Sequence, residues 1–259
     1  MRTLLLALAL TGVASPAAAQ FTTTYAGTET VNGQSVPATA TFAVEDGHVA
    51  MIMKGARPGR MVFDEKAGVL HVINDQDKTY LDLDKNAAGR GDPMAMMQEQ
   101  MAKMPADQRA MMEGMMKSAM GSMPPPLTYV TSTETRTVDG YTCTRVDGMR
   151  GGEKVTEYCG STSPDLRMSG AERQTMLDMQ GYLRNFSIMV RSADDSTRAF
   201  QWDTSTDGYP VSTRCFANGV MTLDLSLQSV SRQPIPKDLF ELPKGYKKMS
   251  MPGMGRGGR

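Results

Sequence analysis

Methionine fills eleven of the thirty positions from Met94 to Met123, in the run MAMMQEQMAKMPADQRAMMEGMMKSAMGSM. The thioether is soft and apolar on an unbranched stem, so a cluster can pack an irregular core, line an adaptable groove or ligate a soft metal. Met94, Met97, Met101 and Met104 recur at +3, +4 and +3, and Met111/Met115 and Met112/Met116 lie four apart. On a helix those spacings put the sulfurs on one face. The seam of Met97, Met101, Met104, Met112 and Met116 is the candidate ligand-binding site. As an apolar wall it would suit a lipid or acyl chain, because methionine surfaces repack around varied partners. The pairs Met94-x-x-Met97, Met101-x-x-Met104 and Met112-x-x-Met115 would suit Cu(I) or Ag(I) instead, although neither His nor Cys lies inside the segment. The third reading is packing alone, with methionine as oxidisable filler in a structural or stress-related envelope protein.

Other reactive residue types do not assemble into a catalytic set. The histidines, His48 and His71, fall in expected strands outside any H-x-x-x-H or H-E-x-x-H spacing. Asp75, Asp77, Asp82 and Asp84 lack the spacing of a calcium loop and read as a solvated face. Ser161 and Ser163 follow Cys159-Gly160 without a nucleophile-elbow pattern. A non-enzymatic binding protein without a cofactor is therefore expected. Three cysteines remain: Cys143, Cys159 and Cys215. In a hairpin centred on Gly151, Cys143 and Cys159 lie eight residues to either side and face each other, within the reach of a disulfide. Cys215 is left as a buried thiol.

The elements that position these residues begin after an export signal. Arg2, the apolar run Leu4 to Leu10 and Ala17-Ala18-Ala19 read as a cleaved signal peptide over residues 1–19, which places the mature chain in the periplasm. No later stretch is long and apolar enough to form a transmembrane segment. With 28 basic and 28 acidic side chains, the charge balance gives no support for a nucleic-acid partner. Strands are expected at Tyr25–Thr30, Ala38–Val44, His48–Met53, Met61–Phe63, Val69–Ile73 and Thr79–Leu83, between turn signals such as Asn32-Gly33. Asp92-Pro93 opens a methionine-rich helical hairpin over about 92–123, which Pro124-Pro125-Pro126 closes. Strands resume at Leu127–Thr131, Thr135–Val138, Tyr141–Val146 and Lys154–Tyr158. A helix over Ser169–Met189 then starts at the capping box of Ser169 and Glu172, and its apolar positions Met176, Met179, Leu183, Phe186 and Val190 give it one buried face. Strands at Tyr209–Cys215 and Val220–Val230 follow, then a flexible tail over 249–259 rich in Gly, Met and Arg.

The stretches Arg60-x-Val62-Phe63-Asp64, Lys78-Thr79-Tyr80, Gly140-Tyr141-Thr142-Cys143, Gly208-Tyr209-Pro210-Val211 and Leu239-Phe240-Glu241-Leu242-Pro243-Lys244-Gly245-Tyr246 carry a resemblance. They resemble an uncharacterised family, a domain of unknown function, of exported bacterial proteins with a methionine-rich helical insert. More remotely, the chain is similar to periplasmic lipoprotein carriers, whose incomplete barrel holds acyl chains on a concave face. The resemblance implies an apolar ligand or an envelope lipoprotein as partner. The expected architecture is α+β: residues 20–248 form a single domain, a curved antiparallel sheet (an open or half β-barrel) with helices against its concave face.

Overall fold

The computed structural model describes residues 20–56, 58–84, 125, 127–187, 201–203 and 208–249. Among them are twelve strands in one sheet: β1 (Gln20–Val31), β2 (Gln34–Glu45), β3 (His48–Lys54), β4 (Gly59–Asp64), β5 (Val69–Asn74), β6 (Thr79–Asp84), β7 (Leu127–Val138), β8 (Tyr141–Arg150), β9 (Glu153–Ser161), β10 (Tyr209–Ala217), β11 (Val220–Ser231) and β12 (Lys247–Lys248). The order is β12-β6-β5-β4-β3-β2-β1-β11-β10-β9-β8-β7, an open sheet in which only the β12–β6 pair is parallel. The sheet is thus two meanders, β1–β6 and β7–β11, joined along β1 and β11, where Thr22 stands opposite Ser231.

Local chemistry explains the meanders. Asn32 and Gly33 both take positive φ, 52° and 77°, the two-residue geometry that returns a strand without splaying it. The flanking strands alternate, so Phe21, Thr23 and Tyr25 face inward with Ala40, Phe42 and Val44. One apolar cluster takes buried side chains from β1–β6 and β8–β11, with Tyr129 and Val138 of β7 packed against it, so the sheet curls around a shared core. Methionine fills part of that core at Met51, Met53, Met176 and Met179.

The α+β expectation needs correction. The described residues are 61% strand and 12% helical, with one α-helix, α1 (Gly170–Ser187), in place of several. The sheet is longer than its strongest local signals suggested: β1 starts at Gln20, and β7 is one strand whose pairing with β8 is interrupted between Thr131 and Thr135, where the two expected strands divide. Among the described residues, side chains of the two meanders bury one another on the concave face, and α1 packs there against β2 and β3. The methionine segment, residues 1–19, where the signal peptide was expected, and residues 250–259 lie outside the described residues.

Helix α1 begins where the capping box placed it. Glu172 N–H donates to Ser169 Oγ at 3.2 Å, and Ser169 N–H donates to Glu172 Oε2 at 2.6 Å. Farther along α1, the Tyr182 hydroxyl sits 3.0 and 2.7 Å from the carbonyls of Gly68 and Leu83, which ties the helix to the first meander.

The convex face is covered differently on the two meanders. On the first, Ala43, Ala50, Val62 and Ile73 form a second apolar patch. The segment after β11 crosses it with Ile235, Leu239, Phe240, Leu242 and Tyr246. Polar bolts hold that segment: the Tyr246 hydroxyl donates to Asp75 Oδ1 at 2.9 Å, and Lys248 Nζ pairs with Asp82 Oδ2 at 2.6 Å. Asp75 also pairs with Arg60 at 2.7 Å, and Asp82 with His71 Nδ1 at 2.6 Å. Asp75 and Asp82 are therefore structural anchors rather than members of a solvated face. Their partners Tyr246 and Lys248 arrive from far along the chain, beyond any local pattern. On the second meander a charge ladder takes the place of the apolar cover. Buried Glu157 meets Arg136, Lys154 and Arg214 at 3.1, 2.8 and 3.3 Å, and Arg214 continues to Asp224 at 3.2 Å.

Cys143 and Cys159 form a disulfide with Cα atoms 5.4 Å apart, but the register is not the symmetric one expected. Arg150 pairs with Glu153 across a Gly151-Gly152 turn, and a bulge between Gly148 and Met149 then slips the pairing by one residue. Arg145, not Cys143, stands opposite Cys159, so the bridge runs diagonally. Cys215 is buried in the core, as expected.

Candidate functional site

The proposed seam of Met97, Met101, Met104, Met112 and Met116 lies outside the described residues. The described residues instead enclose a cleft of about 320 Å³ between the end of β9, the start of α1 and the entry to β10. That volume is at the lower end of the roughly 300–1,000 Å³ usual for small-ligand sites.

The first wall is the 161–168 loop, fixed at several points. Ser161 Oγ donates to the Thr142 carbonyl at 2.8 Å, and Ser163 Oγ donates to Asp165 Oδ1 at 2.5 Å. The Tyr141 hydroxyl donates to Asp165 Oδ2 at 2.7 Å. These bonds, Ser163 first, hold the Asp165 carboxyl below its ordinary range, and in turn Asp165 pushes the Tyr141 phenol up. At the far end Arg232 Nη2 donates to the Arg167 carbonyl. Leu166 is turned inward and buried by this arrangement, and Arg167 and Met168 are left along the rim.

The second wall is the first turns of α1, which supply Arg173, Met176 and Leu177. Its anchor is Glu172, fully buried, with both carboxylate oxygens 2.9 Å from Arg232 Nη1. The Arg232 guanidinium lies over the Phe21 ring at 4.5 Å. Helix start, rim loop and β1 are thereby clamped together by one arginine from just beyond β11.

The floor is aromatic. Trp202 stacks edge-on to Tyr209 at 5.6 Å and to Phe42 at 6.2 Å, and Tyr209 meets Phe21 at 5.1 Å. The Tyr209 hydroxyl shares a 2.8 Å hydrogen bond with Thr23 Oγ1, and the Tyr25 hydroxyl donates to the Pro210 carbonyl at 2.8 Å. Burial pushes the Tyr209 phenol up to about 12 and raises Tyr25 well above its ordinary value, so both remain neutral donors at physiological pH. At the base the two backbones nearly touch: a Cβ on Gly208 would stand 3.2 Å from the Gly160 Cα.

The cleft thus has an apolar, prepositioned floor and a polar rim, a form suited to holding a small amphipathic molecule. His48 and His71 are not part of it. His48 lies against Phe240, 3.7 Å from Glu45 and 3.9 Å from Asp64, and His71 is bonded to Asp82, so both serve the convex face. Sequence reading placed Met176 and the capping box but missed the cleft. Its rim follows from Arg232 and its floor from Trp202, contacts that no local spacing encodes.

No family model matches the chain, and no curated protein matches it. Crystal structures of PNGF-II in the C2 and P21 space groups align with 90% of this chain at TM-scores of 0.40 and 0.39 and identities of 10% and 9%. The chain spans 31% of the length of those proteins.

Proposed function

We propose that this chain is an exported, non-enzymatic binding protein of the cell envelope that carries an apolar ligand such as a lipid or acyl chain. The cleft carries this reading: buried Leu166, Met176, Trp202 and Tyr209 form a floor fixed in advance by aromatic packing and hydrogen bonds. A site organised before binding loses little ordering entropy when its ligand arrives. The Cys143–Cys159 bridge supports an oxidising compartment, in keeping with the leader read at residues 1–19 and a periplasmic destination. No helix among the described residues is long and apolar enough to cross a membrane. The methionine seam would supply further adaptable apolar surface. The likeness to an uncharacterised exported family and to lipoprotein carriers points the same way, and the carriers would make an envelope lipoprotein a natural source of the chain.

Native mass spectrometry of protein recovered from the envelope tests the proposal, with an apolar adduct expected. Thr162 is an exposed rim residue, so Thr162→Trp should close the mouth and exclude the adduct while leaving the thermal melt unchanged. Protein that retains nothing, and that after delipidation takes up no acyl probe, would exclude the carrier reading.

A further inference from the structure

The sheet is open, with β6 and its short cover β12 at one end and β7 at the other. An end strand offers a row of backbone donors and acceptors to any strand that comes alongside, and stable proteins guard such edges. The β6 end is guarded. Lys247 N–H donates to the Lys78 carbonyl at 2.9 Å, Met249 N–H to the Tyr80 carbonyl at 2.7 Å, and the Tyr182 hydroxyl to the Leu83 carbonyl at 2.7 Å. Asp82, paired with Lys248, adds charge there.

Strand β7 is guarded over only part of its length. Its pairing with β8 slips between Thr131 and Thr135, and Glu134 and Arg136 bring charges, held by Arg145 at 3.2 Å and Glu157 at 3.1 Å. Before that point Leu127–Thr131 pairs with β8 in unbroken register and contains no charged residue, proline or glycine. Thr128, Tyr129, Val130 and Thr131 are residue types that favour strands. Val130 is 56% exposed although it is large and apolar. Among the described residues no strand lies on the outer side of β7.

We infer that Leu127–Thr131 is the contact through which two copies of this chain pair, antiparallel about a two-fold axis perpendicular to the sheet, so that their sheets continue as one. The guards select the second copy and its own β7. A head-to-tail contact, with β7 on the β6 of the next copy, meets carbonyls that are already taken and does not close. Pairing of β7 with itself closes, and the uncharged stretch brings no like charges together. The two Val130 side chains then lie near each other on one face of the joined sheet. Five residues from each copy make a small contact, so the dimer is weak and forms as concentration rises.

Sedimentation equilibrium of the full chain from about 1 µM to about 1 mM should show monomer passing to dimer and nothing larger. Over the same range, hydrogen exchange of the Leu127–Thr131 amides should slow while that of the β6 amides stays constant. Val130→Lys sets like charges beside each other at the contact and should weaken the dimer roughly tenfold or more. Val130 stands opposite Asp147 of β8, so a lysine there leaves the monomer folded. Val220→Lys replaces a side chain that is 61% exposed but lies on β11, away from the edge, and should leave the dimer unchanged. A monomer at every concentration, assembly beyond the dimer, a dimer whose β7 exchange is unaltered, or a dimer that Val130→Lys weakens no more than Val220→Lys would overturn the inference. Should Val130→Lys fail to fold, the exchange of the wild type decides alone.

Discussion

Replacing Arg232 should be among the most damaging single changes outside the sheet core. Its partner Glu172 is fully buried, so Arg232→Gln leaves a carboxylate away from water with the Ser169 N–H as its remaining donor among the described residues. Breaking a buried pair in this way costs about 3–5 kcal/mol. The Arg232 side chain is 42% exposed, so water compensates part of the loss, and a destabilisation of about 2–3 kcal/mol is expected. In a chain of this size that lowers Tm by roughly 4–12 °C. Glu172→Gln keeps the shape and an acceptor for the Ser169 N–H, so it should cost less, about 1–2 kcal/mol. The double variant should fall short of the sum by about 1 kcal/mol or more, because either change alone already removes the contact. Urea unfolding followed by Trp202 emission measures all three. Arg232→Gln within about 0.5 kcal/mol of wild type, the range of ordinary surface changes, would refute the clamp. A strictly additive double variant would do the same.

Cys143→Ser with Cys159→Ser should destabilise by about 3 kcal/mol for a sequence separation of 16, and non-reducing peptide mapping of the wild type should recover the two joined. Gly27→Ala should cost several kcal/mol or prevent soluble expression, since the new Cβ would lie 1.9 Å from the Asp224 carbonyl oxygen on the β1–β11 seam; soluble wild-type-like protein would mean the strands are farther apart. Burial pushes Asp75, Asp82 and Glu157 up, but hydrogen bonds from Arg60 and Tyr246, from Lys248 and His71, and from Lys154 and Arg136 leave all three below their ordinary values of 3.8, 3.8 and 4.5. Folded values below unfolded ones mean that this stability is complete above the ordinary values and is lost as pH falls through the lowered ones, so acid titration should leave Tm flat until below about pH 4.5 and then steepen. Replacing Met97, Met101, Met104, Met112 and Met116 with Leu should preserve acyl-probe uptake, because Leu keeps the apolar volume; uptake lost together with Cu(I) binding would favour the thioether reading.

Strand positions were legible because turns and alternation are local. Asn32-Gly33 and Asn218-Gly219 each flank paired strands, and His48–Lys54 matches its expected range almost to the residue. Helix α1 was legible through Ser169 and Glu172, whose capping needs only a spacing of three. The class itself was misjudged, since local signals cannot say whether a curved sheet is covered by helices or by its own far end. Nor could they show that β1 pairs with β11, that Tyr246 reaches Asp75, or that a bulge at Gly148 makes the Cys143–Cys159 bridge diagonal. The cleft was hidden for the same reason, because Leu166, Arg173, Trp202 and Tyr209 converge from three separate elements.

The seam between the meanders also sets an order of events for a chain that emerges N-terminus first. Neighbours within the first meander are joined by short turns and can zip up as they emerge, whereas β9 and β10 are separated by the stretch that carries α1. Thr22, however, must find Ser231, a separation of 231 − 22 = 209 residues. Until β11 has emerged, the long inner edge of β1 stays bare and the convex patch of β2–β5 stays uncovered, because the segment carrying Ile235 to Tyr246 comes later still. The leading half of the molecule is until then a sticky sheet with two bare edges, β1 and β6. Joining β1 to β11 and laying the C-terminal segment across the back remove both hazards at nearly the same moment. Kinetic escape from aggregation is thus placed in residues 220–248, which hold β11, the segment that crosses the convex patch and β12.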